Sequence, residues 1–145
     1  MDAHTSALLN ENTRRFVAKP KRLLIGGAWV EASEGGTLDV FDPATGQAFA
    51  KVPAGGKADI DRAVAAARQA FDGGDWAAMR PVDRERLLMK LADLVEANAQ
   101  ELAELEALDN GKPVTVARFA DVALVVDSLR YMAGWATKIG GETMQ

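Results

Sequence analysis

Two periodicities divide the chain. Between residues 23 and 53, the short runs Leu23-Leu24-Ile25, Ala28-Trp29-Val30, Leu38-Asp39-Val40-Phe41 and Phe49-Ala50-Lys51-Val52 are set apart by Gly26-Gly27, Gly35-Gly36 and Pro43-Ala44-Thr45-Gly46. Glycine reaches positive φ without steric cost, as tight hairpin turns demand, so this stretch predicts a short antiparallel β ribbon. Further along, the apolar spacing becomes helical. Ile60, Val64, Ala67 and Phe71 fall on one face, Asp59 and Asp61 sit in the first turn where they complement the helix dipole, and Gly73-Gly74 ends the run. Pro81 suits a first helical position ahead of a broad stripe of Leu87, Leu88, Leu91, Leu94 and Val95.

Asn98-Ala99-Gln100-Glu101 has the form of a capping box, which predicts a break and then a short third helix carrying Leu102, Leu105 and Leu108. Gly111 stands where a left-handed residue closes a helix, and Pro113 can open the next. The fourth helix is expected from about Val114 to Ile139, with Val116, Phe119, Ala120, Ala123, Leu124, Val126, Tyr131 and Trp135 among its apolar positions and Gly140-Gly141 as its stop. Ahead of the ribbon, Leu8, Leu9, Phe16 and Val17 recur at roughly helical spacing, and Pro20 would end that arm. The predicted class is α/β: a short ribbon followed by about four helices.

Composition narrows the chemistry. The 145 residues, 48% of them hydrophobic, suffice for one domain with a core. There is no cysteine, and the one histidine is His4, so disulfides, thiolate metal sites and Ser-His-Asp triads are excluded. A net charge of −4 gives no global basic field to hold a nucleic acid. The basic cluster Arg14, Arg15, Lys19, Lys21 and Arg22 is accompanied by Asp2 and Glu11 and followed by no apolar targeting region. Val122-Ala123-Leu124-Val125-Val126 is far shorter than the roughly 20 residues that span a bilayer, so the chain reads as soluble and cytoplasmic, with no membrane partner. Five successive apolar residues also predict a helix buried on more than one side.

Single residues admit plain readings. Asp109-Asn110-Gly111 is turn chemistry at a helix end, although a carboxylate beside exposed carbonyls also suits a hard cation. Ala120 and Leu124, four apart, share a helix face, for which core packing is the ordinary role. Trp29, Trp76 and Trp135 lie on separate elements and read as packing anchors rather than a substrate platform. Glu101, Glu104 and Glu106, with Asp109, read as a solvated helix face rather than paired catalytic carboxylates.

Six segments in order carry a further signal: Ile25-Gly26-Gly27-Ala28-Trp29-Val30, Asp42-Pro43-Ala44-Thr45-Gly46, the Asp59 to Phe71 helix with Trp76, Arg84-Glu85-Arg86-Leu87-Leu88, Leu108 to Pro113, and Leu129 to Ala136. Over residues 23 to 141 this pattern resembles the N-terminal part of the aldehyde dehydrogenase superfamily. The resemblance implies an enzyme that attacks an aldehyde with a cysteine thiolate, passes hydride to NAD or NADP and hydrolyses the thioester with glutamate-activated water, an asparagine stabilising the oxyanion. The family places all three residues, and the main cofactor-binding segments, beyond the position matching Gln145. The chain is thus expected to be an N-terminal fragment, inactive alone and without tight cofactor binding.

By the same resemblance, residues 1–22 are an N-terminal arm, 23–139 the N-terminal part of a coenzyme-binding domain and 140–145 the start of an oligomerisation arm, with a homo-oligomer expected for the intact enzyme. Asp109 would hold a structural sodium or potassium ion together with backbone oxygens of Val40 and Phe41. Ala120 and Leu124 would line a substrate tunnel. Asp42 to Gln47 and Thr137-Lys138-Ile139-Gly140-Gly141 also look like phenylacetaldehyde-oxidising members. Two other readings stay open: a non-catalytic module that associates with full-length relatives, and a self-contained helical binding domain.

Overall fold

A computed structural model of the chain describes residues 8–141. The expectations for His4 and for the greater part of 140–145 fall outside the described residues. The first described helix, α1 (Glu11–Ala18), is capped at both ends by side chains. Asn10 Oδ1 accepts from the Thr13 amide at 3.0 Å, and Lys21 Nζ donates to the carbonyls of Phe16, Val17 and Lys19 at 2.5, 3.2 and 2.7 Å. The arm anticipated from Leu9, Phe16 and Val17 is therefore a helix, ending just before Pro20.

The ribbon resolves into two separate hairpins. Strands β1 (Leu23–Ile25) and β2 (Ala28–Val30) pair antiparallel through Gly26 and Gly27, both at positive φ of 59° and 80°, as a primed two-residue turn requires. Strands β3 (Thr37–Phe41) and β4 (Ala48–Pro53) pair antiparallel around a turn in which the buried Asp42 accepts from the Ala44 amide (2.9 Å) and the Thr45 hydroxyl (3.0 Å).

Helix α2 (Lys57–Gly73) lies against β1 and leads into a single turn, α3 (Asp75–Ala78). Its start is tied down by Asp59, whose buried carboxylate accepts from the Gly56 amide (3.0 Å), the Ser33 hydroxyl (2.7 Å) and Arg62 Nη2 (2.5 Å). Then α4 (Pro81–Ala97), α5 (Ala99–Asn110), α6 (Val114–Val116), a π-helical segment (Ala117–Val122) and α7 (Ala123–Trp135) form the helical layer. α7 packs along α4, and the π segment packs on α5. Arg130 clasps the first pair by donating to Asp93 (3.0 Å) and Glu96 (2.6 Å).

Among the described residues, two small apolar clusters hold these parts together. Leu9, Val17 and Leu108 join Phe49, Ala50 and Leu105 where α1 crosses β4 and α5. Ala103, Ala117 and Val122 join Val95, Ala99 and Val114 in the helical layer. Ala92, Ala103, Ala117 and Ala133 are all 0% exposed, so the helices meet through alanines rather than leucines.

Several local expectations require correction. The break expected at Asn98 is present, between α4 and α5, but the capping box is not: Asn98 lies at φ −107°, ψ 18°, and its side-chain amide donates back to the Leu94 carbonyl (2.8 Å) and makes no bond to the start of α5. The last helix ends at Trp135, with a turn rather than helix before Ile139. Glu104 is buried, not on a solvated face, because it lies one turn from Leu108 on the side of α5 that receives α1. The three tryptophans are about half-exposed, 46 to 66%, rather than buried anchors.

Candidate functional site

The two expected sites lie on different parts of the fold. The first joins β3 to the end of α5, which lie side by side. Val40 and Phe41 are both paired, opposite Ala50 and Ala48, and the register shift between them leaves the extra residue, Phe49, on β4 and not on the strand expected to offer the carbonyl oxygens. α5 ends with Gly111 in the left-handed region, φ 78°, its amide donating to the Ala107 carbonyl at 2.9 Å. A Cβ at Gly111 would lie 3.0 Å from the Pro43 side chain, so only glycine lets the turn after β3 close on this helix end.

The acidic side chains at this end are divided. Lys112 Nζ donates to Asp121 and lies 3.8 Å from Glu106. The Asp121 carboxylate, working against burial and aided by Glu106, holds the Lys112 ammonium above the ordinary lysine range. Asp109 is exposed. No group of three or more His, Cys, Asp or Glu side chains able to hold a metal occurs among the described residues. A cation here would rest on one carboxylate and backbone oxygens, a donor set short of the about six oxygens that hard cations take.

The second site is a helix face. In an uninterrupted α-helix, Ala117 and Val126 would be about two and a half turns apart and so on opposite sides. The π segment absorbs the mismatch: Ala117, Val122, Val126 and Ala133 all turn into the molecule. The opposite face carries Ala120, Leu124 (66% exposed), Tyr131 and Trp135. Tyr131 and Trp135 rings meet edge to face with centroids 6.2 Å apart. The structure thus brings Ala120 and Leu124 together on one exposed apolar stripe and assigns neither to the core.

The start of α2 bears on where a phosphate site could form. The Gly55-Gly56 pair ahead of α2 has the makings of one, since helix N-termini attract anions, but the Asp59 carboxylate already takes the Gly56 amide. The Ser33 hydroxyl, Arg62 and backbone amides hold the Asp59 carboxyl well below the usual carboxylate range despite its burial, so the position is filled by the chain's own anion. Of the remaining polar groups, sequence spacing missed Glu104. The available sign was its separation of four residues from Leu108, while its partners Asn10 and Thr13 lie more than 90 residues away.

The aldehyde dehydrogenase family pattern matches residues 29–145, four-fifths of the sequence. The chain belongs to the aldehyde dehydrogenase family. Among individual aldehyde dehydrogenases, it is 46% identical over 125 residues to phenylacetaldehyde dehydrogenase of Pseudomonas fluorescens, covering 86% of this chain and 25% of that protein. It is 46% identical over 123 residues to the mitochondrial aldehyde dehydrogenase family 2 member B4 of Arabidopsis thaliana, covering 85% of this chain and 23% of the relative. The structure superposes on the NAD+ complex of an aldehyde dehydrogenase from Bacillus cereus with a TM-score of 0.90 at 45% identity, covering 94% of this chain and 28% of the other. The chain thus spans about a quarter of the length of the aldehyde dehydrogenases it matches, and its hairpins and helices have the aldehyde dehydrogenase arrangement. No helix among the described residues is long and apolar enough to cross a membrane.

Proposed function

We propose that the chain forms the N-terminal portion of an NAD(P)-dependent aldehyde dehydrogenase that oxidises an aldehyde to a carboxylic acid. The observation that carries this reading is the 0.90 superposition on the NAD+-bound Bacillus cereus enzyme over 94% of the chain. In this role residues 23–139 are an edge of the coenzyme-binding domain, residues 1–22 the arm before it and residues 140–145 the approach to an oligomerisation arm. The intact enzyme would be a homo-oligomer using NAD or NADP, which accepts the hydride when bound. The 46% identity to a phenylacetaldehyde dehydrogenase favours an apolar, aromatic aldehyde.

What this chain's own residues contribute is shape. Ala120 and Leu124 are well placed to form one wall of an apolar substrate passage, the small Ala120 leaving room beside the leucine. Asp109, with the Val40 and Phe41 carbonyls, would steady the contact between β3 and α5 by sharing a monovalent cation supplied with further oxygens from the rest of the enzyme. The chain has no cysteine and so no thiolate for the covalent step, which makes it inactive alone.

A chimera tests the role directly. Residues 9–141 should replace the matching segment of the Bacillus cereus enzyme and leave aldehyde-dependent NAD+ reduction within about an order of magnitude, an allowance of about 1.4 kcal/mol. The 145-residue chain assayed by itself should show none. A folded chimera without activity, or aldehyde-dependent reduction by the purified chain alone, would overturn the proposal.

A further inference from the structure

Glu104 takes no part in the sites above, yet it is 3% exposed and its carboxylate is fully engaged. Oε2 accepts from the Thr13 hydroxyl at 2.6 Å and from the Asn10 amide at 2.9 Å, both belonging to the arm. Oε1 accepts from Gln100 Nε2 at 2.7 Å, one turn back on α5. Gln100 is committed at its other end as well, because its Oε1 accepts from Arg118 Nη1 at 2.8 Å, and Arg118 belongs to the π segment. Five residues, from the arm, α5 and the π segment, therefore form one directed chain of hydrogen bonds passing across α5.

The direction of that chain is fixed by a single group. Two donors from the arm converge on one oxygen of Glu104 and an amide on the other, so the position demands an acceptor that carries no hydrogen. The side-chain orientation of Gln100 follows: with its amide nitrogen held by Glu104, its oxygen faces Arg118. Burial pushes the Glu104 carboxyl up, and the Thr13 hydroxyl, the Gln100 amide and Asn10 outweigh it, which keeps the carboxylate ionised as the geometry requires.

We propose that Glu104 is a positioning residue that couples the seating of the N-terminal arm to the order of the π segment bearing Ala120. The arm packs on α5 and β4, and the π segment packs on the other flank of α5. When the arm is seated, the Glu104–Gln100–Arg118 line is complete and the π turn is braced beside Phe119 and Ala120. When the arm lifts, Glu104 is left as a buried anion with two donors missing, and Gln100 is free to turn away from Arg118. Losing hydrogen bonds to a buried charge is enough to drive such a change. The inference stands whether or not the chain works within an aldehyde-oxidising enzyme, since its test reads local order and not activity.

Amide hydrogen exchange on the full chain supplies that test. Glu104→Gln places a hydrogen-bearing amide where only acceptors fit, and Thr13→Val removes the hydroxyl at equal volume on the arm alone. Each should raise exchange of amides 11–18 and, together with them, of amides 117–122 by roughly tenfold or more, as expected for lost bonds to a charge. Amides 84–96 of α4 should change less than about twofold, given that local opening leaves other units protected. Thr13→Ser should restore both regions, and Thr13→Val added to Glu104→Gln should raise exchange little beyond Glu104→Gln alone. If Thr13→Val loosens the arm and leaves 117–122 unchanged, or if α4 exchanges as fast as the other two in every variant, the coupling does not exist. Should Glu104→Gln fail to fold, Thr13→Val against Thr13→Ser decides the matter.

Discussion

At the scale of single residues, three buried carboxylates hold this chain in place: Asp42 closes its own turn, and Asp59 and Glu104 tie separate segments together. Asp59 shows the logic. The hydrogen bond from the Ser33 hydroxyl is the largest cause of its lowered pKa, followed by Arg62, with burial opposing both. A carboxyl depressed in the folded state contributes stability that is complete above the unfolded aspartate value of about 3.9 and is lost as pH falls toward the folded one. Asp59→Asn should therefore lower the urea midpoint at pH 7, and the gap from wild type should narrow steadily below about pH 4. A gap that holds constant from pH 7 to pH 2 would show that Asp59 acts through packing and not through charge. The surface pairs, such as Lys57 with Asp61, have no comparable leverage, being exposed on both sides.

At the scale of elements, the joints decide the geometry. Gly111 combines a φ of 78° with a Cβ position 3.0 Å from Pro43, so Gly111→Ala is strained in two ways at once. It should cost roughly 1–2 kcal/mol, more than the usual penalty for alanine at positive φ alone. Gly134, in α7, would place its Cβ 3.5 Å from Lys138 Nζ, the far end of a flexible side chain. Gly134→Ala should be neutral or stabilise by about 0.5–1 kcal/mol. Chemical denaturation of the two variants side by side checks the pair, and equal effects would refute the argument. Gly111, Pro113 and the four strands were legible in sequence because each is dictated by local backbone chemistry. The π segment was not, since neither proline nor glycine marks it and its cause is the need to keep Ala117 and Val126 on one side. Asn98 marked the α4–α5 break correctly but not its own bond, since its side chain turns back to the Leu94 carbonyl at the end of α4. Of the candidate sites, the sharing of a face by Ala120 and Leu124 was readable from spacing, whereas their exposure depends on what packs opposite.

At the scale of the whole molecule, large apolar side chains face outward on several elements at once. Ile60, Val64 and Phe71 do so on α2, Leu87, Leu91 and Leu94 on α4, and Leu124, Tyr131 and Trp135 on α7. Faces of this extent exceed what a solitary soluble domain ordinarily shows. The 145-residue chain by itself should bind a hydrophobic dye strongly, keep helical far-ultraviolet dichroism and self-associate as concentration rises. A monodisperse monomer with negligible dye fluorescence would contradict this. The four fully buried alanines have a different bearing, on how the protein tolerates change. In most cores, trimming a large side chain leaves a void, and that is the common route to damage. Here the contact surfaces between helices are already trimmed, so little volume remains to be removed. Harm will come from growth instead: a valine or leucine at Ala92, Ala103, Ala117 or Ala133 must push two helix backbones apart, and the spectrum of damaging substitutions in this layer is inverted.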